Sequence, residues 1–491
     1  MSLICVSLIE PQINKMINYA KLAKIKGAQV VELRLDKLKN LSCATISKLR
    51  KEIAPPIIAT IRHSCEDGGF KKNENLRLKL IKEIIENNYD YLDLELRTAK
   101  KYKNILEYAK ARKQKTIISY HDFSKTPATQ KICSYLNECA KLGTIAKVAF
   151  KVKSATDNFK ILEASVKAKT AGLKYVAIGM GKLGTITRIL APVLNQEIIY
   201  TAIKKGRESA EGQIPIASLP PINLETKICG LVGKNIAHSL SPLIQNKAFE
   251  ALNLNFRYLL FDIDKKDISR LVGILKAFGA NFGGVNVTAP FKESVIQYLD
   301  EVDELAGKIK AVNTILNEDS KLIGYNTDYY GAYEALKKAG VRLPNTETLL
   351  IGAGGAARAI ACLLSQNNAK VTIASRTLRK AEKVAEDFNL DCVELSKLKN
   401  LNRNFKLIIN ATPVYDKLII PEKLIKPYST VLELVYAPLE TKLVRTASRK
   451  GAKIINGLEM LLYQGIKAFE LFTNKKAPKK LMESVVLKVK K

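Results

Sequence analysis

The chain has 491 residues, 47% hydrophobic and 26% charged, too long for one hydrophobic core and too apolar for a disordered protein. No apolar run approaches the roughly 20 residues of a membrane-crossing helix, and the start, MSLICVSLIE, lacks the basic segment and small-residue cleavage site of a secretion signal. The formal net charge of +33 is spread as lysine along helical segments, with no basic block interleaved with aromatics, which speaks for a lysine-rich surface rather than nucleic-acid binding.

In chain order, apolar β-rich runs occur at 5–9, 30–36, 57–62, 91–97, 116–121, 145–152, 175–180 and 198–203, with helix-length amphipathic segments between them. Eight such units predict an α/β fold that begins with a (β/α)8 TIM barrel over 1–220. SLPPINLE (218–225) predicts a linker. After residue 226 the rhythm restarts. KICGLVG, FRYLLFDI and FGGVNVT predict strands of a first α/β module over 226–330, with the C-terminal helices 457–491 assigned to it. TLLIGAGGAARA opens a Rossmann module over 331–456, with strands at KVTIA, KLIIN and TVLEL. The eight cysteines form no CxxC pair and read as small hydrophobes in a reducing cytoplasm, so no metal site is expected.

In such a barrel the working side chains come from the C-terminal ends of strands and the loops after them. Those positions hold Glu32, Arg34, Arg62, Glu95, His121, Lys147, Arg188, Ser209 and Gln213. Strand alternation puts Glu32 with Arg34, Asp93 with Glu95, and Lys147 with Lys151 on shared faces. Charged side chains within apolar strands are rare, because burying them unpaired costs several kcal/mol. A lysine walled by arginines and apolar groups can form an imine with a ketone, which acidifies the neighbouring carbon. A histidine held by a carboxylate can move that proton, and His121 is one of three histidines. Several arginines imply a carboxylated substrate. A dehydratase or an aldolase would use this set.

ELRLD (32–36), TIR (60–62), LDLEL (92–96), SYHDF (119–123), AKVAF (146–150), MGKLGTITRI (180–189) and SAEGQI (209–214) resemble, in order, the type I 3-dehydroquinate dehydratases. Strand parity leaves the imine-forming lysine open among Lys147, Lys151 and Lys153; the resemblance implies Lys147. It also implies His121 as general acid/base, oriented by Glu95. Arg34, Arg62 and Arg188, with Glu32, Ser209 and Gln213, would grip the hydroxyls and carboxylate. Glu211 stands where that family carries proline.

In the second half, Gly352, Gly354 and Ala357 form G-x-G-x-x-A between strand and helix, with Ala353, Gly355 and Ala356 completing a turn that can seat a pyrophosphate. The next strand ends in Ser375, Arg376 and Thr377, without the Asp or Glu of an NAD enzyme; arginine there suits a 2′-phosphate, so NADP(H) is expected. GLVGKNIAHSLSP, GGVNVTAPFKE, KAVNTI and GYNTD supply hydrogen-bonding groups for a polyhydroxylated ligand, and Lys292 with Asp328 is the pair for proton transfer with a hydroxyl that becomes a ketone.

Together with INATP (409–413), ELVYAP (433–438) and GLEMLLYQ (457–464), these motifs resemble shikimate dehydrogenase. The resemblance implies Ser239, Ser241, Asn286, Thr288, Lys292, Asn313, Asp328, Tyr436 and Gln464 at the substrate. Asn410, Thr412 and Gly457 would join the glycine turn, Arg376 and Thr377 along NADP. Glu459 stands where the family carries glycine, and both serines of SLS favour shikimate over quinate. The expectation is a bifunctional enzyme that dehydrates 3-dehydroquinate to 3-dehydroshikimate through a lysine imine and reduces that product to shikimate with NADPH. Its partners are small molecules, with no nucleic acid and no membrane. The competing readings are a quinate-directed dehydrogenase half, or a fusion with one inactive half that acts as a binding module.

Overall fold

The structure is a computed structural model that describes residues 2–489 except 55, 72, 319 and 320. It divides into two compact units, Met1–Thr226 with Ser269–Asn281, and Lys227–Ile268 with Phe282–Lys491. No helix among the described residues is long and apolar enough to cross a membrane.

The first unit is the expected barrel. Its strands are β1 (Leu3–Leu8), β2 (Val30–Arg34), β3 (Ile57–Thr60), β4 (Tyr91–Glu95), β5 (Lys115–Asp122), β6 (Ile145–Lys151), β7 (Tyr175–Met180) and β8 (Ile198–Thr201). They form a parallel sheet in the order β7-β6-β5-β4-β3-β2-β1-β8. Between β7 and β8 the circle closes where Glu197 N–H donates to Tyr175 O at 2.9 Å and Ala177 N–H donates to the Gln196 side-chain oxygen at 2.9 Å. Inward positions carry the logic of the site. Cys5, Val30, Ile58, Ile117, Ile145, Val176 and Ile198 pack as one apolar floor inside the barrel. Two residues further along most of these strands the same inward parity delivers a polar side chain: Ser7, Glu32, Thr60, Ser119 and Lys147. Outward positions such as Val31, Leu33 and Ala59 join the surrounding helices in a second apolar layer.

The second unit holds two sheets. One comprises β9 (Lys227–Gly233), β10 (Phe256–Asp262), β11 (Phe282–Val287), β12 (Glu301–Val302), β13 (Thr314–Glu318) and β14 (Lys321–Tyr325), in the order β10-β9-β11-β13-β14-β12. Strand β13 runs antiparallel to both neighbours, so NTILNE and KLIGYN form a hairpin that the sequence patterns above did not single out. The other sheet is wholly parallel: β15 (Glu347–Ile351), β16 (Lys370–Ser375), β17 (Asp391–Glu394), β18 (Leu407–Asn410), β19 (Thr430–Glu433) and β20 (Lys453–Asn456), in the order β17-β16-β15-β18-β19-β20. Its strand order reverses beside β15, where a doubly wound sheet opens its ligand crevice. Helix Gly457–Thr473 gives Met460 and Tyr463 to the core of this sheet. The same helix gives Leu458, Leu462 and Phe469 to the core around Cys229 and Phe249. Helix Asp328–Lys338 lies close against it, because a Cβ on Gly331 would come within 2.8 Å of Met460 O.

Candidate active sites

Lys147 is 4% exposed and faces the barrel mouth from β6. Its Nζ lies 3.0 Å from Asp93 Oδ2 and 3.6 Å from Glu32 Oε1, and 4.0 Å over the ring of Tyr200. Glu32 is fixed by hydroxyls, Ser7 donating at 2.6 Å and Thr60 at 2.9 Å. Asp93 accepts from Arg62 Nη2 and from Ser119 Oγ, both at 2.7 Å. Burial works against the Asp93 charge, but Arg62 and Lys147 outweigh it and hold the carboxyl far below its usual range. Lys151 and Lys153 do not share this environment: Lys151 reaches out to Glu211 at 2.5 Å, and Lys153 is exposed. The structure thus separates three lysines that strand parity left equivalent.

His121 Nδ1 lies 2.9 Å from Glu66 Oε2, on the short 3₁₀ turn Ser64–Glu66 after β3. Glu95 does not orient this histidine, contrary to the expectation. Its carboxylate accepts from His63 N at 2.7 Å and from Arg77 Nη1 at 2.8 Å, behind the site. Asp93 and Glu95 share strand parity, but Glu95 ends β4, where the chain turns into helix Leu96–Lys101. Burial, then Arg62 and Lys147, push His121 well below the ordinary histidine value of 6.5. Burial pushes Glu66 up to about 7, against the pull of Arg62. The pair therefore holds at most one proton near neutrality, and the imidazole is available as a base. The carboxyl of Glu66, at about 7, sets the acid limb: dehydratase kcat is expected to decline as pH falls through about 7, while the imidazole itself stays unprotonated to well below 6.5; a Glu66→Gln variant that keeps the wild-type acid limb in its pH–rate profile would contradict this. Glu66→Gln should lower kcat about 10- to 100-fold, part of the roughly 10²–10⁴ that a positioned acid–base group supplies, in a steady-state assay of the first step alone.

The remaining first-half residues rim the same cleft. Arg34 is held bidentately by Asp36 at 2.8 and 2.9 Å. Arg188, 3% exposed on helix Thr185–Ile189, donates Nη1 to Gly179 O, while its Nε has no hydrogen-bond partner. With no carboxylate to oppose burial, its guanidinium falls to about 10. A buried cation lacking a counter-charge at a cleft is a receptor for an anion. Ser209 and Gln213 close on each other, Gln213 Nε2 donating to Ser209 Oγ at 2.9 Å. Their loop is seated by Gly212, at φ +83, where a Cβ would lie 2.2 Å from Gly181 O.

In the second unit Lys292 Nζ and Asp328 Oδ2 form an ion pair. Asn313 Nδ2 donates to Asp328 Oδ1 at 2.8 Å, and its Oδ1 accepts from Thr327 N at 2.6 Å. Asp328 opens helix Asp328–Lys338. Gln464 reaches the same group, its Oε1 accepting from Thr327 Oγ1 at 3.5 Å. Asn286 accepts from the Tyr258 hydroxyl at 2.7 Å and donates to Thr314 Oγ1 at 3.0 Å. Ser239 Oγ accepts from Ser241 N at 3.2 Å. Burial pushes the Tyr436 phenol up, with the Ser239 hydroxyl opposing it, so these two face each other. Thr288 follows β11, its N–H donating to Val232 O at 2.8 Å.

The glycine turn abuts this set. A Cβ on Gly355 would sit 2.7 Å from Lys292 Cβ, so only hydrogen fits between cofactor turn and lysine. Gly352 has φ +115 and lies against Ala411 and Thr412, while Gly354 faces open space ahead of helix Gly355–Gln366. This cradle, which side chains would strain or fill, fits a dinucleotide pyrophosphate. Ala353 and Ala356 keep the turn small. Arg376 and Thr377 are exposed at the end of β16, and Ser375 Oγ accepts from Thr377 N at 3.3 Å. Asn410 is committed elsewhere: Nδ2 donates to Glu433 at 2.9 and 3.1 Å, and Oδ1 accepts from Thr412 N and Oγ1. It shapes the turn that presents Thr412. Gly457 packs against β19, where a Cβ would lie 2.4 Å from Leu434 O. Glu459 pairs with Lys338 at 2.9 Å, at the opposite end of its helix from Asp328.

The two sites define a class: a lyase whose cleft holds a buried lysine, carried on one chain with a dinucleotide-dependent oxidoreductase. Residues 4–222 match the type I 3-dehydroquinase family, 231–315 the shikimate dehydrogenase substrate-binding domain, 334–430 shikimate/quinate 5-dehydrogenase and 457–487 the shikimate 5′-dehydrogenase C-terminal domain. Across 99% of its length the chain is 32% identical to a chloroplastic bifunctional 3-dehydroquinate dehydratase/shikimate dehydrogenase of Arabidopsis thaliana, of which it covers 84%. It belongs to the family of bifunctional 3-dehydroquinate dehydratase/shikimate dehydrogenases. Over 54% of the chain it is also 40% identical to the shikimate dehydrogenase (NADP(+)) of Carboxydothermus hydrogenoformans, covering 98% of that protein. A solved shikimate dehydrogenase from Aquifex aeolicus matches 54% of the chain and 99% of its own, at 38% identity and a TM-score of 0.50.

Proposed function

We propose that the barrel converts 3-dehydroquinate to 3-dehydroshikimate and that the second unit reduces this product to shikimate with NADPH. One observation carries the reading. A single chain holds two sites with consecutive chemistries, since loss of water beside an imine returns a ketone and a dehydrogenase reduces a ketone.

In the first step Lys147 attacks the substrate ketone and water leaves as the imine forms. His121 then removes a proton from the adjacent carbon, and the electron pair drains into the iminium nitrogen. The tertiary hydroxyl departs with a proton returned by His121, and hydrolysis frees Lys147 and the enone. Asp93 and Glu32, at 3.0 and 3.6 Å, hold the lysine in place and balance the iminium charge. Arg188 takes the carboxylate, with Arg34, Arg62, Ser209 and Gln213 around the hydroxyls.

In the second step the glycine turn at Gly352–Gly355, with Arg376 and Thr377, would hold NADPH, which when bound would supply a hydride to the ketone carbon. Lys292 and Asp328 deliver the proton to the oxygen that becomes the hydroxyl, with Asn313 holding Asp328. Ser239, Ser241, Asn286, Thr288, Tyr436 and Gln464 surround the ring, and Arg376 pairs with the 2′-phosphate. All eight cysteines are free thiols, which supports a reducing, cytoplasmic setting.

The deciding experiment adds 3-dehydroquinate alone to the purified protein with NADPH. Loss of NADPH absorbance requires both sites in sequence; no loss, even after 3-dehydroshikimate is added, sinks the proposal. Arg376→Gln should raise the KM for NADPH by about 10- to 100-fold, the scale of one charge-assisted phosphate contact at roughly 1.5–3 kcal/mol. Its KM for NADH should scarcely change, and steady-state kinetics with both cofactors checks this.

A further inference from the structure

Resting on that reading of the barrel, we infer that the buried ion pair Arg77–Glu95 is a positioning device for Arg62, gripping the main chain on both sides of it. Arg62 lies just past β3, beyond the last ladder partner of that strand. Its guanidinium nevertheless ties the site together, donating to Ser119 Oγ at 2.6 Å and Asp93 Oδ1 at 2.7 Å and lying 3.7 Å from Glu66. The loop after it gives one bond, Phe70 N–H donating to Arg62 O at 3.3 Å, and something further outside the sheet holds the chain on either side.

The flanking residues show what does. Ile61 O accepts from Arg77 Nη1 at 3.0 Å, and His63 N–H donates to Glu95 Oε1 at 2.7 Å. Arg77 Nη1 and Glu95 Oε2 are themselves 2.8 Å apart, so one ion pair closes a bracket around Arg62. The bracket is rigid. Arg77 Nη2 donates to Thr98 Oγ1 at 2.6 Å, Thr98 donates to Glu95 at 3.1 Å, and Glu74 takes the Nε and Nη2 protons at 2.8 and 2.7 Å. Every N–H of the Arg77 guanidinium has an acceptor.

Neither residue lines the cleft, and they are 1% and 2% exposed. A buried ion pair of this kind is no more stabilising than well-packed apolar side chains of the same volume. Net stability therefore gives no reason for it, whereas directional hydrogen bonds to two chosen main-chain atoms do. The consequence reaches the acid–base group. His121 faces Arg62, Lys147 and Arg34, which disfavour its protonation, with Asp93 favouring it and Glu66 on its Nδ1. If Arg62 withdraws, His121 keeps its proton to higher pH.

The test is the full-length double variant Arg77→Met/Glu95→Leu, which exchanges the ion pair for apolar side chains. Borohydride trapping with 3-dehydroquinate counts the chains that still form the Lys147 imine, so kcat can be expressed per trapped site. The expected result is a kcat per trapped site lowered about 10- to 100-fold, as expected for a catalytic constellation displaced by an ångström or less. The acid limb of the pH–rate profile should also move upward. Glu95→Gln keeps an oxygen for His63 N–H and should lose less. Wild-type kcat per trapped site with an unmoved acid limb would overturn the inference, even if fewer chains were trapped. If the double variant does not fold, Arg77→Lys decides: it keeps the charge, but its ammonium ends short of the Nη1 position and lacks the fork that is pinned by Glu74 and Thr98, and an unchanged kcat and pH profile would overturn the inference. A wild-type chain that neither turns over nor traps 3-dehydroquinate would instead count against the proposed function.

Discussion

Lys147→Met is expected to lower kcat for dehydration of 3-dehydroquinate by at least about 10⁴-fold, equivalent to about 5.5 kcal/mol of lost transition-state stabilisation. The reason is that no other group can replace the nucleophile. Lys151 is drawn outward to Glu211, and the remaining cations of the cleft are guanidinium groups, which do not form imines. Methionine keeps the stem volume beside Tyr200, so the change tests chemistry more than packing. It does remove one partner of Asp93 and Glu32. Asp93 retains Arg62 and Ser119, and Glu32 retains two hydroxyls, so neither carboxylate is orphaned. Reduction of 3-dehydroshikimate by the same preparation should stay within about a factor of two, because the site of that reaction draws on residues of the other unit. The checks are separate assays of the two steps and mass spectrometry after borohydride, in which the variant should gain no ligand mass. A variant with more than about 1% of wild-type dehydratase activity would take Lys147 out of the mechanism.

The barrel was legible because its strands repeat one pattern: an apolar inward residue, then a polar one two positions later. Cys5 and Ser7, Val30 and Glu32, Ile117 and Ser119, and Ile145 and Lys147 all read this way. Parity says which residues face inward, but not where a side chain goes once its strand has ended. Glu95 is set beside His121 by the resemblance alone. It has the right parity, yet the chain turns at Glu95, and its carboxylate swings to Arg77. The true partner, Glu66, lies on no strand; the signal available was its spacing four residues after Arg62, on a short turn leaving the same strand. In the second half the glycine turn was readable from its spacing, because backbone approach demands glycine. Asn410 was not, because its engagement with Glu433 depends on a strand pairing, β18 with β19. The two glutamates at family proline and glycine positions have physical accounts as well. Glu211 meets Lys151 and Glu459 meets Lys338, and with 80 basic residues against 47 acidic ones a new carboxylate finds a lysine readily.

Lys292→Met and Asp328→Asn are each expected to lower kcat for reduction of 3-dehydroshikimate by about 10²–10⁴-fold while dehydration continues unchanged. Geometry makes the two residues one unit. Lys292 and Asp328 share an ion pair, Asp328 is steered by Asn313, and the lysine stem is wedged against Gly355 at the cofactor turn. Removing either end leaves the other wrongly charged or wrongly aimed, so the first loss contains most of the second. The double variant should therefore be little worse than the more damaged single variant, far from the product of the two effects. Asn313→Ala, which frees Asp328 without discharging it, should fall between wild type and Asp328→Asn. The contrast with simple substrate binding is sharp. Groups that merely held the hydroxyls would raise KM, leave kcat close to wild type and combine additively. Additive losses confined to KM would thus remove the pair from proton transfer and leave it a binding clamp, whereas non-additive losses in kcat would place the proton on the line from Lys292 and Asp328 to the new hydroxyl.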